Sequence, residues 1–212
     1  MDKTRQVRKP LLKWGKECDT RDFFWRREKL NLFQYVMVEL LLQKTKAENA
    51  ERTIRTFVSK YNSAESLLAD DRGKILTAIK SLGLQNQRLK AIFKISNAFI
   101  EGKQANLGNL KGVGHYIANS VCCFYFNKRV PIIDINTSRV ISRVFGIENK
   151  TDLRRNFELF AKAAQLLPAR NYKRFNWTLL DFGALVCKAK PQCNVCPISK
   201  HCDYFKTSQL KV

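Results

Sequence analysis

The chain has 212 residues, of which 45% are hydrophobic, so it is long enough to bury an apolar core. Lysine and arginine number 39 against 18 acidic residues, and the resulting net charge of +21 favours a polyanionic partner, most simply nucleic acid. No apolar run approaches the length of a membrane span, and no signal-peptide pattern opens the chain. We therefore predict an intracellular protein, in the cytoplasm or nucleoid, with no membrane partner.

The chain begins with a basic and aromatic segment, residues 1–29, whose run DTRDFFWRRE mixes cations with large rings. We expect the rings to pack on the body of the protein; contact with a phosphate backbone is the alternative. Asn31 is then predicted to cap a helix that runs from Leu32 to Leu42 and is apolar on nearly every side.

Glu39 is the one acidic residue in this apolar helix. A carboxyl group among apolar neighbours loses water, which raises its pKa and suits it to donate a proton. The alternative is an ordinary surface glutamate on an amphipathic helix. Because seven of the eight flanking positions are apolar, we favour the buried, proton-donating carboxyl.

Amphipathic helices are predicted over most of the remaining chain. AENAERTIRTFVSKY and SAESLLADDRGKILTAIK come first, and the glycine-containing turn SLGLQNQR separates them from RLKAIFKISNAFIEG. Helical patterns resume after Asp134, and no convincing alternating run indicates a strand. The sequence therefore predicts an all-α protein.

A glycine-punctuated turn, LKGVGHYIA, opens an apolar helical run in the middle of the chain. Its glycines, Gly112 and Gly114, allow close approach of the backbone, and a turn of this kind before a helix can bind a phosphate. Asp134 follows about twenty residues later, in the apolar segment from Val130 to Ile135. By position alone, Asp134 fits equally well as a helix N-cap or as a catalytic carboxylate.

Four of the seven cysteines lie close together near the end of the chain, in the pattern Cys187-x5-Cys193-x2-Cys196-x5-Cys202. Thiols at this density can hold zinc or an iron–sulfur cluster, and the spacing alone does not choose between them. The other three, Cys18, Cys122 and Cys123, are predicted to be ordinary thiols.

These motifs resemble those of the helix–hairpin–helix DNA glycosylases, a family that includes endonuclease III, the MutY-type adenine glycosylases and the T·G-mismatch thymine–DNA glycosylases. LKGVGHYIA resembles the hairpin of this family, and IIDINTSRV resembles the segment that carries its catalytic aspartate. The resemblance implies a two-lobed fold. Residues 30–134 would form a helical-barrel lobe with the helix–hairpin–helix, and residues 1–29 with 135–212 a helical lobe carrying a 4Fe–4S cluster on the four cysteines.

The resemblance also implies roles for individual residues. Asp134 would stabilise positive charge on the sugar and activate water, and Glu39 would face the base pocket and donate a proton. Tyr116 stands where endonuclease III has its Schiff-base lysine. Because a phenol cannot form an imine, Tyr116 predicts a monofunctional enzyme with little or no AP lyase activity. The implied DNA-contacting residues are Gly112, Val113, Gly114 and His115 in the hairpin, Gln43 and Lys44 after the apolar helix, and Leu84, Gln85 and Asn86 in the SLGLQNQR turn.

Two features favour a pyrimidine substrate. Tyr116 and the LGLQNQR sequence both resemble the thymine–DNA glycosylases, and a loop of this kind can fill the gap left by a flipped base. We predict a monomer that excises thymine or uracil mispaired with guanine from double-stranded DNA. Adenine excision opposite guanine or 8-oxoguanine is the alternative, because Glu39 and the junction between Leu42 and Gln43 also fit it. A catalytically silent DNA-binding module is the second alternative.

Overall fold

The computed structural model describes residues 2–18, 21–103, 108, 113–148 and 156–209. Within these ranges every regular element is helical, which confirms the predicted all-α class. No helix in the same ranges is both long and apolar enough to cross a membrane. The chain divides into two compact units, one formed by Met1–Arg21 with Cys122–Val212 and the other by Asp22–Val121.

The helices follow one another along the chain with short turns of 3-10 or π type between some of them. In order they are α1 (Lys3–Glu17), α2 (Phe24–Arg27), α3 (Leu32–Leu42), α4 (Ala47–Lys60), α5 (Ala64–Leu68), α6 (Arg72–Ile79), α7 (Gln85–Ile100), α8 (His115–Ser120), α9 (Ile135–Phe145), α10 (Phe157–Leu166), α11 (Tyr172–Leu185) and α12 (Asp203–Gln209). Short 3-10 turns cover Lys80–Leu82, Cys193–Val195 and Ser199–His201, and a π turn covers Val121–Tyr125.

The unit Asp22–Val121 is built around α3, which packs against α4, α7 and α8. The predicted cap at Asn31 is confirmed, because its side chain accepts a hydrogen bond from the Gln34 amide at 2.9 Å. The Gln34 side chain in turn accepts one from the Asn31 amide at 3.0 Å, which completes a capping box. The apolar residues of α3 are buried on nearly every side, so this helix forms the core of its unit.

In the second unit, α11 packs against α1 and α9, and α9 packs against α10 and α12. The core of this unit consists of apolar side chains from these helices and from the cysteine-rich loop that follows α11. α9, whose N-cap is Asp134, is therefore held by helices from the C-terminal part of the chain, and α1 packs against α11 and α10.

The boundaries of the compact units differ from those of the predicted lobes at 30 and 134. The segment before α3 joins the unit Asp22–Val121, because the Phe24 amide donates to the Glu51 carboxylate at 2.9 Å and the Phe24 ring is fully buried. The segment before α9 joins the other unit, because the Asn176 side chain donates to the Val130 carbonyl at 3.0 Å. Burial of Phe24 also agrees with the expectation that these rings pack on the protein.

Candidate active site

Glu39 lies on α3 inside the unit Asp22–Val121, and only 4% of its surface is exposed. Its Oε1 accepts hydrogen bonds from the Ser120 hydroxyl at 2.6 Å and from the Tyr35 hydroxyl at 3.0 Å. The two hydroxyls are themselves 3.1 Å apart. The surface alternative for Glu39 is therefore wrong, and the carboxyl belongs to a buried polar cluster.

Burial raises the pKa of Glu39 above its usual range, because the charged form loses its water. Hydrogen bonds from Ser120, Tyr35 and Tyr116, and the charge of Arg26, oppose this shift without cancelling it. Tyr116 thus acts on the carboxyl group, but Oε2 receives no hydrogen bond of normal geometry from the part of the chain that the structure describes. Since both short hydrogen bonds go to Oε1, the proton of the neutral acid belongs on Oε2.

Sequence reasoning missed Tyr35 and Ser120. Burial also raises the pKa of Tyr35 well above its usual range, so its hydroxyl stays protonated and donates to Glu39. The spacing of four residues between Tyr35 and Glu39 on one helix is a signal that could have identified this pair. No local signal connects Ser120 to Glu39, because the contact depends on how α8 packs against α3.

Asp134 occupies the N-cap position of α9, in the other unit. Its Oδ1 accepts hydrogen bonds from the amides of Asn136 at 3.0 Å and Thr137 at 2.7 Å, and its own amide donates to the Thr137 hydroxyl at 2.8 Å. The N-cap interpretation is therefore confirmed. It does not exclude catalysis, because the side chain is only partly buried and the cap uses only one of the two carboxylate oxygens.

The second oxygen of Asp134 belongs to a chain of hydrogen bonds that runs through Asn136 to Arg139. Oδ2 accepts from Asn136 Nδ2 at 3.0 Å, and Asn136 Oδ1 accepts from the Arg139 guanidinium at 2.9 Å. Arg139 also donates to the carbonyl oxygens of Cys187 and Gly183, both at 2.8 Å. The orientation of the Asn136 side chain toward Asp134 is thus fixed from both sides.

α11 must approach the start of α9 closely for this arrangement to form. A Cβ atom on Gly183 would lie 2.9 Å from the Asn136 Cβ and 3.1 Å from its carbonyl carbon. Only glycine allows this approach, so Gly183 and Arg139 belong to the site although neither was predicted. The i, i+3 spacing of Asn136 and Arg139 on one helix was the available signal.

The four cysteines of the C-terminal motif, Cys187, Cys193, Cys196 and Cys202, line one cavity of about 20 Å³. Burial raises the pKa of Cys196 to about 11, and negative charge on the other three thiols acts in the same direction. In the described ranges no three His, Cys, Asp or Glu side chains could hold one metal ion. The donor set nevertheless fits an iron–sulfur group, because four thiols converge on one cavity and a cluster distributes its ligands over several iron atoms.

The predicted DNA-contacting residues have different environments. Gly112 lies outside the described residues, and Val113 is buried. Gly114 caps α8 in an extended conformation with φ −73°, and His115 is exposed at the first position of that helix. The structure therefore describes the second half of the hairpin alone.

The other two predicted contact regions each contain a residue in a left-handed conformation. Lys44, next to the exposed Gln43, has φ 54°, and Leu84 has φ 51° with 46% of its surface exposed. Gln85 is half-buried and Asn86 is exposed at the start of α7. Leu84 combines a left-handed backbone with an exposed apolar side chain, and both are unfavourable. Such a combination is a common sign of a functional position.

Comparisons with known proteins identify the family of the chain. Residues 37–163 match the profile of the HhH-GPD superfamily base excision DNA repair protein. A thymine/uracil-DNA glycosylase of Methanothermobacter thermautotrophicus is 32% identical over 197 residues, which cover 89% of this chain and 88% of that protein. An adenine DNA glycosylase of Mycolicibacterium smegmatis is 29% identical over 201 residues, which cover 91% of this chain and 67% of that protein. Among solved structures, a thermostable thymine-DNA glycosylase has a TM-score of 0.87 at 31% identity and covers 97% of each chain.

Proposed function

Because this chain belongs to the HhH-GPD superfamily of base excision DNA repair proteins, we propose that it is a monofunctional DNA glycosylase acting on thymine or uracil mispaired with guanine. It hydrolyses the N-glycosidic bond of the mispaired base in double-stranded DNA. The observation that carries the proposal is the buried, raised-pKa carboxyl of Glu39, whose Oε2 is left without a hydrogen-bond partner among the described residues. The substrate class is supported by the thymine/uracil-DNA glycosylase that aligns with most of the chain.

Glu39 assists the departure of the base. When the glycosidic bond of thymine breaks, N1 keeps the electron pair and the negative charge spreads onto the carbonyl oxygens. A neutral Glu39 donates its Oε2 proton to such an acceptor, and the Ser120 and Tyr35 hydroxyls stabilise the resulting carboxylate at Oε1. An acid of raised pKa suits this step, because at any given pH a larger fraction of it carries the proton than of an ordinary glutamate.

Asp134 acts on the sugar. As the base leaves, positive charge develops on the sugar ring, and a carboxylate stabilises it electrostatically. Oδ2 accepts the proton of the attacking water, while the bonds to Oδ1 and from Asn136 keep the side chain in place. The products are a free base and an abasic site, so no covalent intermediate with the protein is required.

Tyr116 excludes the lyase route of the bifunctional relatives. That route requires an amine that attacks the sugar and forms an imine, which a phenol cannot do. The side chain of Tyr116 instead acts on Glu39 through a hydrogen bond that lowers its pKa. We therefore propose that Tyr116 contributes to control of the acid and not to covalent catalysis.

The four C-terminal cysteines, Cys187, Cys193, Cys196 and Cys202, are proposed to bind a 4Fe–4S cluster. When bound, the cluster supplies a rigid cross-link for a loop that also carries the cations Lys188, Lys190 and Lys200. Support comes from the shared cavity and from the Arg143 guanidinium, which donates to the Cys187 sulfur at 3.6 Å. Elemental analysis should find about four iron and four sulfide per chain; one zinc and no sulfide would contradict this assignment.

The substrate proposal is tested with duplexes that carry T·G, U·G, A·G or A·8-oxoguanine, with T·A as the matched control. Strand breaks should appear only for T·G and U·G, and only after alkali treatment of the abasic site. Breaks without alkali would contradict the monofunctional assignment. Release of adenine would favour the second candidate function, which the aligned adenine DNA glycosylase supports. Binding of every duplex without base release would indicate a non-catalytic DNA-binding module.

A further inference from the structure

Arg88 is a buried arginine on α7 that none of the proposed chemical steps uses. Only 5% of its surface is exposed, so each of its donors needs a partner inside the protein. The guanidinium donates to the carbonyl oxygens of Leu40, Leu41, Gln43, Leu82 and Gly83 at 3.2, 2.9, 2.7, 3.3 and 2.8 Å, and to the Thr45 hydroxyl at 2.5 Å. The set of acceptors is larger than an ordinary helix end requires.

These acceptors come from two separate segments of the chain. One is the end of α3 with the loop that carries Gln43 and Lys44, and the other is the Leu82–Gly83 turn just before Leu84. Both segments contain residues that we predict to contact DNA. A single side chain on α7 therefore ties two predicted contact regions together.

Two of the hydrogen bonds from Arg88 fix the peptide groups on which the conformation of the two segments depends. The Gln43 carbonyl belongs to the peptide that enters Lys44, and the Gly83 carbonyl belongs to the peptide that enters Leu84. Lys44 and Leu84 are the left-handed residues of these segments. Residues with side chains keep that conformation only where the surroundings enforce it. Rotation of either peptide would require the loss of a hydrogen bond to Arg88.

We infer that Arg88 is a positioning residue that fixes the Gln43–Lys44 loop and the Leu84 turn as one rigid edge for insertion into the duplex. This inference rests on the proposed function. The leucine side chain is already exposed and oriented before DNA arrives, so the energy of binding need not be used to order the loop. The two segments then enter the stack together as the mispaired base leaves it.

A purely structural role for Arg88, as a cap on the carbonyls of α3, is the competing explanation. Arg129 provides a matched control, because its guanidinium also caps a helix end, through the carbonyls of Ala164, Leu167 and Pro168 at the end of α10. No DNA contact is predicted for that helix end. Arg88→Lys and Arg129→Lys therefore make the same chemical change at two helix ends, of which only one holds predicted contact loops.

The test compares single-turnover release of uracil from two DNA substrates. One is a U·G duplex, and the other has the same sequence with the uracil inside an unpaired bubble, where no wedge is needed. Arg88→Lys should slow release from the duplex about tenfold to a hundredfold, because the left-handed residues would relax and the two loops would lose their ordered conformation. The rate on the bubble substrate should stay within about twofold of the wild-type rate. Leu84→Ala should reproduce this pattern, and Arg129→Lys should leave the ratio of the two rates unchanged.

Equal losses on both substrates, or no loss on either, would overturn the inference. If Arg88→Lys does not fold, Thr45→Val removes one acceptor with little change in volume and should lower the same ratio, while an unchanged ratio would again contradict the proposal. Failure of the proposed function has a different signature, because wild-type protein would then release uracil from neither substrate. In that case 2-aminopurine fluorescence beside the mismatch still reports unstacking, and Arg88→Lys should weaken that signal.

Discussion

The two carboxyl groups proposed for catalysis, one in each compact unit, are held in opposite ways. Glu39 is enclosed by apolar residues and bonded only by side-chain hydroxyls, so its environment favours the protonated acid. Asp134 is half-exposed at a helix start and bonded by backbone amides and by Asn136, which are donors that suit a carboxylate. These environments support the proposed roles, an acid for the leaving base and an anion for the sugar. The proposed division of roles follows from environment, because the two side chains differ by a single methylene.

Replacement of Asp134 should give the largest effect. Asp134→Asn removes the charge but keeps a good N-cap, so base release should fall by about 10²–10⁴-fold while thermal stability changes little. Single-turnover excision from a U·G duplex measures the rate, and fluorescence anisotropy measures binding of the same duplex. Binding should be unchanged within experimental scatter.

The matched control for this change is Asp71→Asn. Asp71 also caps a helix, α6, through the amides of Gly73 and Lys74, and it has no proposed role in catalysis. This variant should excise uracil at the wild-type rate. If Asp134→Asn retained full turnover, Asp134 would act only as the N-cap of α9, and its proposed role in catalysis would be wrong.

Replacement of Glu39 should give the next largest effect. Glu39→Gln keeps the volume and the hydrogen bonds at Oε1 but has no acidic proton, so excision should slow by about 10²–10³-fold. In wild type the rate should fall as pH rises through the raised pKa of Glu39, because the acid form is lost. The variant should lack this alkaline limb, and a limb that persisted would assign the titration to another group.

The same substitution changes stability in a direction that can be worked out independently of catalysis. The folded-state pKa of Glu39 is raised above its unfolded value, so folding favours the protonated form. The stabilisation from this group is complete below the unfolded pKa and is lost as pH rises through the folded pKa. The melting temperature of wild type relative to Glu39→Gln should therefore decline over that pH window.

Much of this comparison was predictable from the sequence. The apolar run around Glu39 indicated burial, and the pattern before α9 identified Asp134 as a cap or a catalyst. The partners were less predictable, because Ser120 reaches Glu39 only through the packing of α8 on α3, and Gly183 reaches Asn136 only through the approach of α11 to α9. Contacts between distant segments depend on the completed fold, whereas caps and helical faces depend on local spacing.

A smaller effect is expected at Arg139, which orients the Asn136 side chain and, through it, the Asp134 carboxylate. Arg139→Lys cannot donate to Asn136, Gly183 and Cys187 with the geometry of the planar fork. The turnover rate should fall about tenfold with KM unchanged, since a hydrogen bond worth about 1–1.5 kcal/mol that orients the catalytic group is lost. Steady-state kinetics on the U·G duplex separates the two parameters.

Arg143→Lys is the control for that variant. Arg143 also bonds the cysteine-rich loop, through the carbonyls of Lys188 and Ala189, but it makes no hydrogen bond to Asn136. It should reduce thermal stability without a specific loss of turnover. Equal losses of turnover in both variants would mean that the loop, and not the orientation of Asn136, limits the reaction.

The smallest expected effect concerns Tyr35, which adjusts the acid without touching the substrate. Its hydroxyl favours ionised Glu39, so Tyr35→Phe should raise the pKa of Glu39 and move the alkaline limb of the excision rate to higher pH by about one unit. Tyr61→Phe is the matched control, because the Tyr61 hydroxyl also donates to a carboxylate, that of Asp70, at 2.9 Å. That variant should leave the pH profile unchanged. A shift toward lower pH in Tyr35→Phe would mean that the hydroxyl stabilises the neutral acid, and the protonation pattern assigned to Oε1 and Oε2 would then have to be reversed.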